Sequence, residues 1–444
     1  MNKDIIKNKL KQCFSFKISD NKIKIIFLGI HISKKCFYVS PKSCQIQIQK
    51  LVKKKLKKVK NNEKIKVYFV IYEKSQWTFQ SLYDAMAKDE MFEPYVLIFP
   101  AWVRNIEQNT NSNDDLIKFV KDLGLKYVTA LDYNNLPDIM FTTLPEYKNM
   151  QLDIKSLYKK ILFCFHIYGW LLTNDDKVYY ANDNFKYFWK EFVPSFRDYE
   201  AASKDGPTKG ANVICSGYLK NDSFYNAKKT SEMWKNKDSK KIIYAPHYSL
   251  YKGGHSLATF DLYYDKIYNY LVNHPEIEIV LKPHPLLRKF IGDKKFQKIF
   301  NNTDLDFMTL EEYDEYIEKW NNLPNGIVMN SGDYYELFNS SDAIILDSES
   351  FVAEYMIQNK PMLFLNKYDS VETIKSFMNS MGKGLFDAMD VGQSWNDIEQ
   401  FIENLNKNID NKKQKREEMI KTFLDLNKRK VGEIIKENIK QSLQ

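Results

Sequence analysis

The stretch AIILDSESFVAEYMIQNKPMLFL, residues 343 to 365, decides the fold. A short apolar run ends at Asp347, Ser348, Glu349 and Ser350 open a helix predicted over SFVAEYMIQN, and a second apolar run, PMLFL, follows. Buried strand, helix and buried strand in so short a span form the repeating unit of a parallel sheet, because the crossover helix carries the chain back to the edge where it began.

Outward from this unit the alternation continues in both directions. Strand KIIYAP, helix LATFDLYYDKIYNYLVNH, strand IEIVLKP, a helix-rich insertion near 293 to 320, strand GIVMN and helix YYELFNS precede it, and helices are predicted from Trp395 to the end. An earlier series starts at Lys64 with strand KVYFVIY, then helix SLYDAMAKD, strand YVLIFP, helix NDDLIKFVKDLG and strand KYVTAL. Residues 14 to 32 alternate around Asp20 and Asn21 as a hairpin of two short strands would. The expected divisions are a small basic appendage over 1–60, a first doubly wound α/β domain over 61–225, a second over 226–394, and C-terminal helices over 395–444.

Composition agrees with two cores. The 444 residues are 44% apolar with only 13 prolines and 15 glycines, enough for two domains of ordinary size. Five cysteines without a CxxC pair suggest neither a disulfide framework nor a zinc site, as expected of a reducing, cytoplasmic setting. The opening residues lack the apolar core of a secretory signal, and no apolar window reaches the ~20 residues of a membrane-spanning helix.

The net charge of +9 is unevenly spread. Residues 1 to 60 carry seventeen lysines, no arginine and only Asp4 and Asp20, a net of +15 that leaves the other 384 residues at −6. A basic head without arginine on an acidic body, with no recognisable motif, argues against nucleic acid as a partner. Within the head, Ile48, Leu51, Val52, Leu56 and Val59 fall at helical spacing among lysines. That pattern suits an anionic membrane surface, and it equally suits a solvated connector.

Three polar clusters follow predicted strands, where open α/β sheets bind ligands. In DSES, the hydroxyls of Ser348 and Ser350 at a helix start suit capping or a phosphate, and Glu354 one turn on suits a ribose. In LKPHP, Pro283 and Pro285 restrict the backbone around His284, beside Lys282, making the imidazole a candidate phosphate ligand or proton donor. In YAPHYSLYKGGHSLATF, His247, Ser249, His255, Ser256 and Thr259 gather in a glycine-containing loop before a helix. No carboxylate or cysteine accompanies these histidines in the loop, so a metal site is not expected. A nucleotide diphosphate is the economical ligand for all three. The chain has no GxxxxGK[ST], no GxGxxG after a strand and no GxSxG, which removes the usual support for kinase, dehydrogenase and hydrolase readings.

SGYLKND at 216–222, YAPH at 244–247, LKPHPLL at 281–287, GDYYELFNSSDAIILDSESFVAEY at 332–355 and KPMLFL at 360–365 together resemble the CDP-glycerol glycerophosphotransferases of bacterial teichoic acid and capsule polymer synthesis. The resemblance implies a GT-B fold, two Rossmann-like domains facing a cleft, with the nucleotide held by the second. It also implies that His284, Ser348 and Ser350 touch the donor phosphates, and that a glycan or polyol phosphate acceptor on a lipid carrier enters from the first domain. Two departures stand out. The WHGTP segment whose histidine is the family's proposed base is absent, and FCFHIYGW stands near its position, offering His166. YAPH carries His247 where many members have threonine.

The expected activity is therefore metal-independent transfer of glycerol phosphate, or a related polyol phosphate, from a CDP-linked donor to a hydroxyl of a cell-envelope polymer. The catalytic candidates are His284, His247 and His166, with His166 or His247 as base, and the donor-binding candidates are Lys282, Ser256, Thr259, Ser348, Ser350 and Glu354. A peripheral position at the inner face of the plasma membrane, reached through residues 1–60, fits such an acceptor. Two alternatives stay open: a GT-B glycosyltransferase using a nucleotide sugar in capsule or lipopolysaccharide synthesis, and a non-catalytic glycan-binding protein on the same fold.

Overall fold

The computed structural model describes residues 39–99, 113–145, 152–230, 232–251, 256–300, 307–330, 334–368 and 370–444, together with the backbone of three N-terminal strands. Those strands, β1 (Phe14–Ser19), β2 (Lys22–Phe27) and β3 (Ile30–Lys35), form an antiparallel sheet. The expected hairpin is present with a third strand added, and its turn residues Asp20 and Asn21 lie outside the described residues.

Two parallel sheets carry the rest. The first contains β4 (Ile65–Ile71), β5 (Phe92–Ile98), β6 (Tyr127–Val128), β7 (Ile139–Thr142), β8 (Leu162–His166), β9 (Lys190–Val193) and β10 (Val213–Cys215). Its spatial order is β6-β5-β4-β7-β8-β9-β10. The second contains β11 (Lys240–Ala245), β12 (Ile277–Leu281), β13 (Gly326–Val328), β14 (Ala343–Leu346), β15 (Met362–Leu365) and β16 (Asp390–Gly392), ordered β13-β12-β11-β14-β15-β16. In both, the chain builds outward from a central strand, returns to the centre and builds the other way. That reversal opens a crevice at the carboxyl ends of β4 and β7 and of β11 and β14.

The opening stretch folds as strand, helix and strand, but its helix is short. A single 3₁₀ turn, Glu349–Phe351, leads into Val352–Met356, and Asn359 in the left-handed region (φ 52°) turns the chain before Pro361 and β15. β14 is buried along its whole length, as a central parallel strand covered on both faces must be.

The lysine-rich helix, Pro41–Lys60, is capped by Ser40, whose side chain accepts from the Ser43 amide. Its apolar stripe does not face outward: Cys44, Ile48, Leu51 and Val52 are buried in the core of the first sheet, with Leu56 and Val59 packed against that core. Lys55 and Lys58 fix its far end by bonding the buried Asp138 carboxylate, at 2.6 and 2.7 Å. Burial works to raise that carboxyl, yet the two lysines and the Lys66 amide outweigh it and hold it below the usual range.

The C-terminal segment returns across both halves. Helix Trp395–Asn406 packs Ile398, Phe401, Ile402 and Leu405 onto the second sheet, whereas helix Val431–Gln441 packs Val431, Ile435 and Ile439 onto the first. The Asp222 carboxylate accepts from the Val431 and Gly432 amides. A Cβ at Gly432 would lie 2.6 Å from the Ser81 backbone, so glycine permits this close approach. Among the described residues, no helix is long and apolar enough to cross a membrane.

Candidate active site at the carboxyl edge of the second sheet

The register of the second sheet sets the level of its polar residues. Ala245 pairs with Leu346, so Pro246 and Asp347 leave β11 and β14 side by side, and Tyr244 pairs with Leu281, which brings Lys282 to the same edge. The Lys282 amide still bonds the Tyr244 carbonyl at 2.7 Å, and the His284 amide reaches the Pro246 carbonyl at 2.9 Å. Pro283 and Pro285 thus flank a histidine whose backbone is tied to the neighbouring strand. The two imidazoles meet with ring centroids 4.8 Å apart, and Tyr248 lies against both.

Asp347 organises this edge and is fully buried. One carboxylate oxygen accepts from the His247 amide at 2.7 Å, the other from the Thr259 amide and hydroxyl at 2.6 and 3.0 Å. Burial pushes its carboxyl up to about 6, against those hydrogen bonds and the charge of Lys367. Asp347 is therefore a strut between β14 and the loop after β11.

The hydrogen bonds select the ring tautomers. Ser249 Oγ accepts from the Leu257 and Ala258 amides, so its own proton goes to His247 Nδ1, 2.8 Å away. His284 Nδ1 accepts from the Leu286 amide at 3.1 Å. Both neutral rings then keep their proton on Nε2. Burial, followed by the charge of Lys282, pushes His284 down to about 4; burial, His284 and Lys367 push His247 well below its ordinary value. At neutral pH both rings are uncharged donors through Nε2, an arrangement unlike that of a ready base.

The other candidates divide. Ser348 is buried and makes no side-chain capping bond, and Ser350 is exposed at the same turn. Ser256 and Thr259 are buried and occupied: Ser256 Oγ bonds the Ser249 carbonyl at 2.7 Å and receives Lys367 Nζ, while Thr259 serves Asp347. Glu354 is also occupied. One carboxylate oxygen accepts from Tyr218 Oη at 2.8 Å and Lys220 Nζ at 3.3 Å, the other from Tyr334 Oη at 2.7 Å. Lys220 reaches on to the Ser75 carbonyl, so the carboxylate expected at a ribose is a tie between the two halves. Lys282 Nζ lies 5.5 Å from the centre of the Tyr334 ring in that seam. His255 lies outside the described residues.

His166 is not brought to His247 and His284. It ends β8 with no exposed surface, and its two ring nitrogens meet the Ile167 and Gly217 carbonyls at 2.8 and 3.1 Å. Burial pushes it down to about 4. Its ring stacks against Tyr218, centroids 6.0 Å apart, behind the Glu354 tie. Sequence reasoning missed Lys367, which stands two residues past β15 and brings its ammonium, held by the Ser256 hydroxyl, to this edge. The lysine just after PMLFL was its signal.

Residues 200–440 match the model of a family described as CDP-Glycerol:Poly(glycerophosphate) glycerophosphotransferase. Among solved structures, a variant of the wall teichoic acid polymerase TagF aligns with a TM-score of 0.56 at 15% identity, covering 90% of this chain and 98% of that one. A UDP co-structure of MnaA from S. aureus aligns at 0.53 and 15% identity, over 85% and 97%. A UDP-GlcNAc 2-epimerase from Neisseria meningitidis bound to UDP-GlcNAc aligns at 0.52 and 14%, over 85% and 100%. At such identities the likeness is one of fold, two Rossmann-like halves in the GT-B arrangement. Among curated proteins nothing matches the chain.

Proposed function

Because the chain belongs to the CDP-glycerol:poly(glycerophosphate) glycerophosphotransferase family, we propose that it moves glycerol phosphate from a CDP-linked donor to a hydroxyl of a polymeric acceptor. The supporting observation is the paired imidazoles of His247 and His284, both set as Nε2–H donors at the switch point of the second sheet. The donor diphosphate lies over that edge, with Lys367, Ser348 and the amides after β14 completing its surroundings.

Phosphoryl transfer with a loose transition state asks a protein chiefly to position the partners and stabilise spreading charge. The acceptor oxygen forms a bond to the glycerol-bearing phosphorus as the bridging bond to CMP breaks, and CMP leaves with that electron pair. His284 and His247 donate to the oxygens on which charge collects, and Lys367 adds the positive charge. Neutral imidazoles fit this role because Nε2–H is present across the physiological range. The acceptor oxygen sheds its proton late, to water or to the departing CMP phosphate, so a strong base on the first half is not required. No metal enters the scheme, and EDTA should leave turnover unchanged.

Incubation with CDP-glycerol and a glycerol phosphate primer, followed by phosphorus NMR, tests the reading. A new phosphodiester signal with stoichiometric CMP is expected. A glycosidic product from a nucleotide sugar, without a new phosphodiester, would replace it with the glycosyltransferase alternative. Failure to bind any cytidine or uridine diphosphate would point to a non-catalytic glycan-binding protein.

A further inference from the structure

The helix Pro41–Lys60 borders a groove of ≈ 570 Å³ that the catalytic scheme does not use. Lys42, Ile46, Lys50 and Lys53 line one wall, and Pro207, Thr208 and Ala211, just before β10, line the other. Residues 42, 46, 50 and 53 recur at three- and four-residue intervals and so share one helix face, along ~16 Å of axis from Lys42 to Lys53. None of the groove residues is acidic. Lys42, Lys50 and Lys53 are exposed, and among the described residues none of the three enters an ion pair, unlike Lys55 and Lys58 on the same helix.

We propose that this groove is an accessory site for a linear phosphodiester polyanion, the acceptor polymer itself. The identity of that polyanion rests on the function proposed above; the basic groove does not. Three observations favour such an occupant, two of them over an anionic membrane and the third over the chain's own N-terminal segment. The helix buries its apolar stripe in the core, which leaves Ile46, 49% exposed, as the one large apolar side chain of the groove, beside the smaller Pro41, Pro207 and Ala211. The site is concave and elongated, as a chain requires. The preceding forty residues hold nine lysines against two aspartates, so that segment is a poor occupant by charge.

The location adds a length rule. Gln45 bonds the Lys186 and Phe188 carbonyls just before β9, and Lys58 bonds Asp138 just before β7, so the helix runs along the amino ends of the first sheet. The candidate active site is at the carboxyl edge of the other sheet. A seven-residue strand such as β4 is ~23 Å long, so only an acceptor of several repeats could occupy groove and cleft together. The groove therefore raises the affinity for long acceptors and leaves short ones unaffected.

The test uses the full chain and the variant Lys42→Gln/Lys50→Gln/Lys53→Gln. Binding of end-labelled glycerol phosphate oligomers of about ten units and of two units is followed by anisotropy at two salt concentrations, beside cosedimentation with phosphatidylglycerol vesicles. The expected result is salt-sensitive binding of the long oligomer that weakens about tenfold or more in the variant, with KM rising for long primers only. An unchanged affinity, no binding of the long oligomer by the parent, or a loss confined to vesicles would overturn the proposal. Transfer from CDP-glycerol to the two-unit primer reports the catalytic reading separately. If transfer fails while lysine-dependent oligomer binding persists, that reading falls and the groove stands; the reverse result removes the groove alone.

Discussion

The two parallel sheets have the same winding, yet their carboxyl ends have opposite characters. At the second, His247 and His284 remain partly accessible beside Lys367, held by a buried carboxylate and two prolines. At the first, His166 ends a strand in the same way but is sealed, with both nitrogens against backbone carbonyls. Burial pushes His166 and His284 alike down to about 4. The difference between them is access: a histidine after a strand becomes chemically useful only when the following backbone leaves a ring nitrogen uncovered.

The largest effect is expected from His284→Ala. Removing one preorganised donor from a transition state costs about 10²- to 10³-fold in turnover, so CMP release should fall by that factor while the melting temperature changes little. Near-parental turnover would erase the asymmetry between the two edges. The next effect is one of stability. His166→Ala removes the ring, with its one N–H, from between two buried carbonyls, of which that of Gly217 keeps the Ser216 hydroxyl, and opens a cavity, a loss of about 2–4 kcal/mol by denaturant titration, with CDP binding kept by the folded fraction. If this variant instead kept its stability and lost turnover, the base would belong to the first half after all.

The smallest effect sharpens the comparison through pH. A histidine near 6.5 when unfolded and about 4 when folded binds more protons in the unfolded state between those values. Its contribution is complete above pH 6.5 and is lost as pH falls towards 4. Asp347, pushed up to about 6, acts in the opposite sense over part of that window. The difference between parent and variant cancels its share. Both His284→Gln and His166→Gln should therefore lose less stability than the parent on acidification from pH 6.5 to 4, in melting experiments.

Much of the second sheet was legible because its strands β11 to β15 are apolar runs closed by a proline, an aspartate or a polar turn, whereas the three residues DVG of β16 gave no such signal. KIIYAP, IEIVLKP, AIILD and PMLFL all appear as β11, β12, β14 and β15. The first sheet was less legible. β9 and β10 are KEFV and VIC, too short and too mixed to stand out from their surroundings, and they exist because neighbouring strands offer unpaired edges. In the site, residue type located the edge, but the use of each group depended on contacts far away in sequence. Glu354 is taken by Tyr218 and Lys220, more than a hundred positions earlier, and Thr259 by Asp347. Periodicity likewise found the apolar stripe of Pro41–Lys60 but could not say whether core or lipid would cover it.

The return of helix Val431–Gln441 to the first sheet also sets an order of events during synthesis. β10, the last strand of that sheet, ends at Cys215, so roughly 220 more residues must be made before its final covering helix exists, about 10–45 s at ordinary translation rates. Through that interval the surface of Gln80–Ala87 and the Asp222 carboxylate await their partner, while the second half emerges and folds. The half that is begun first is the half that is finished last.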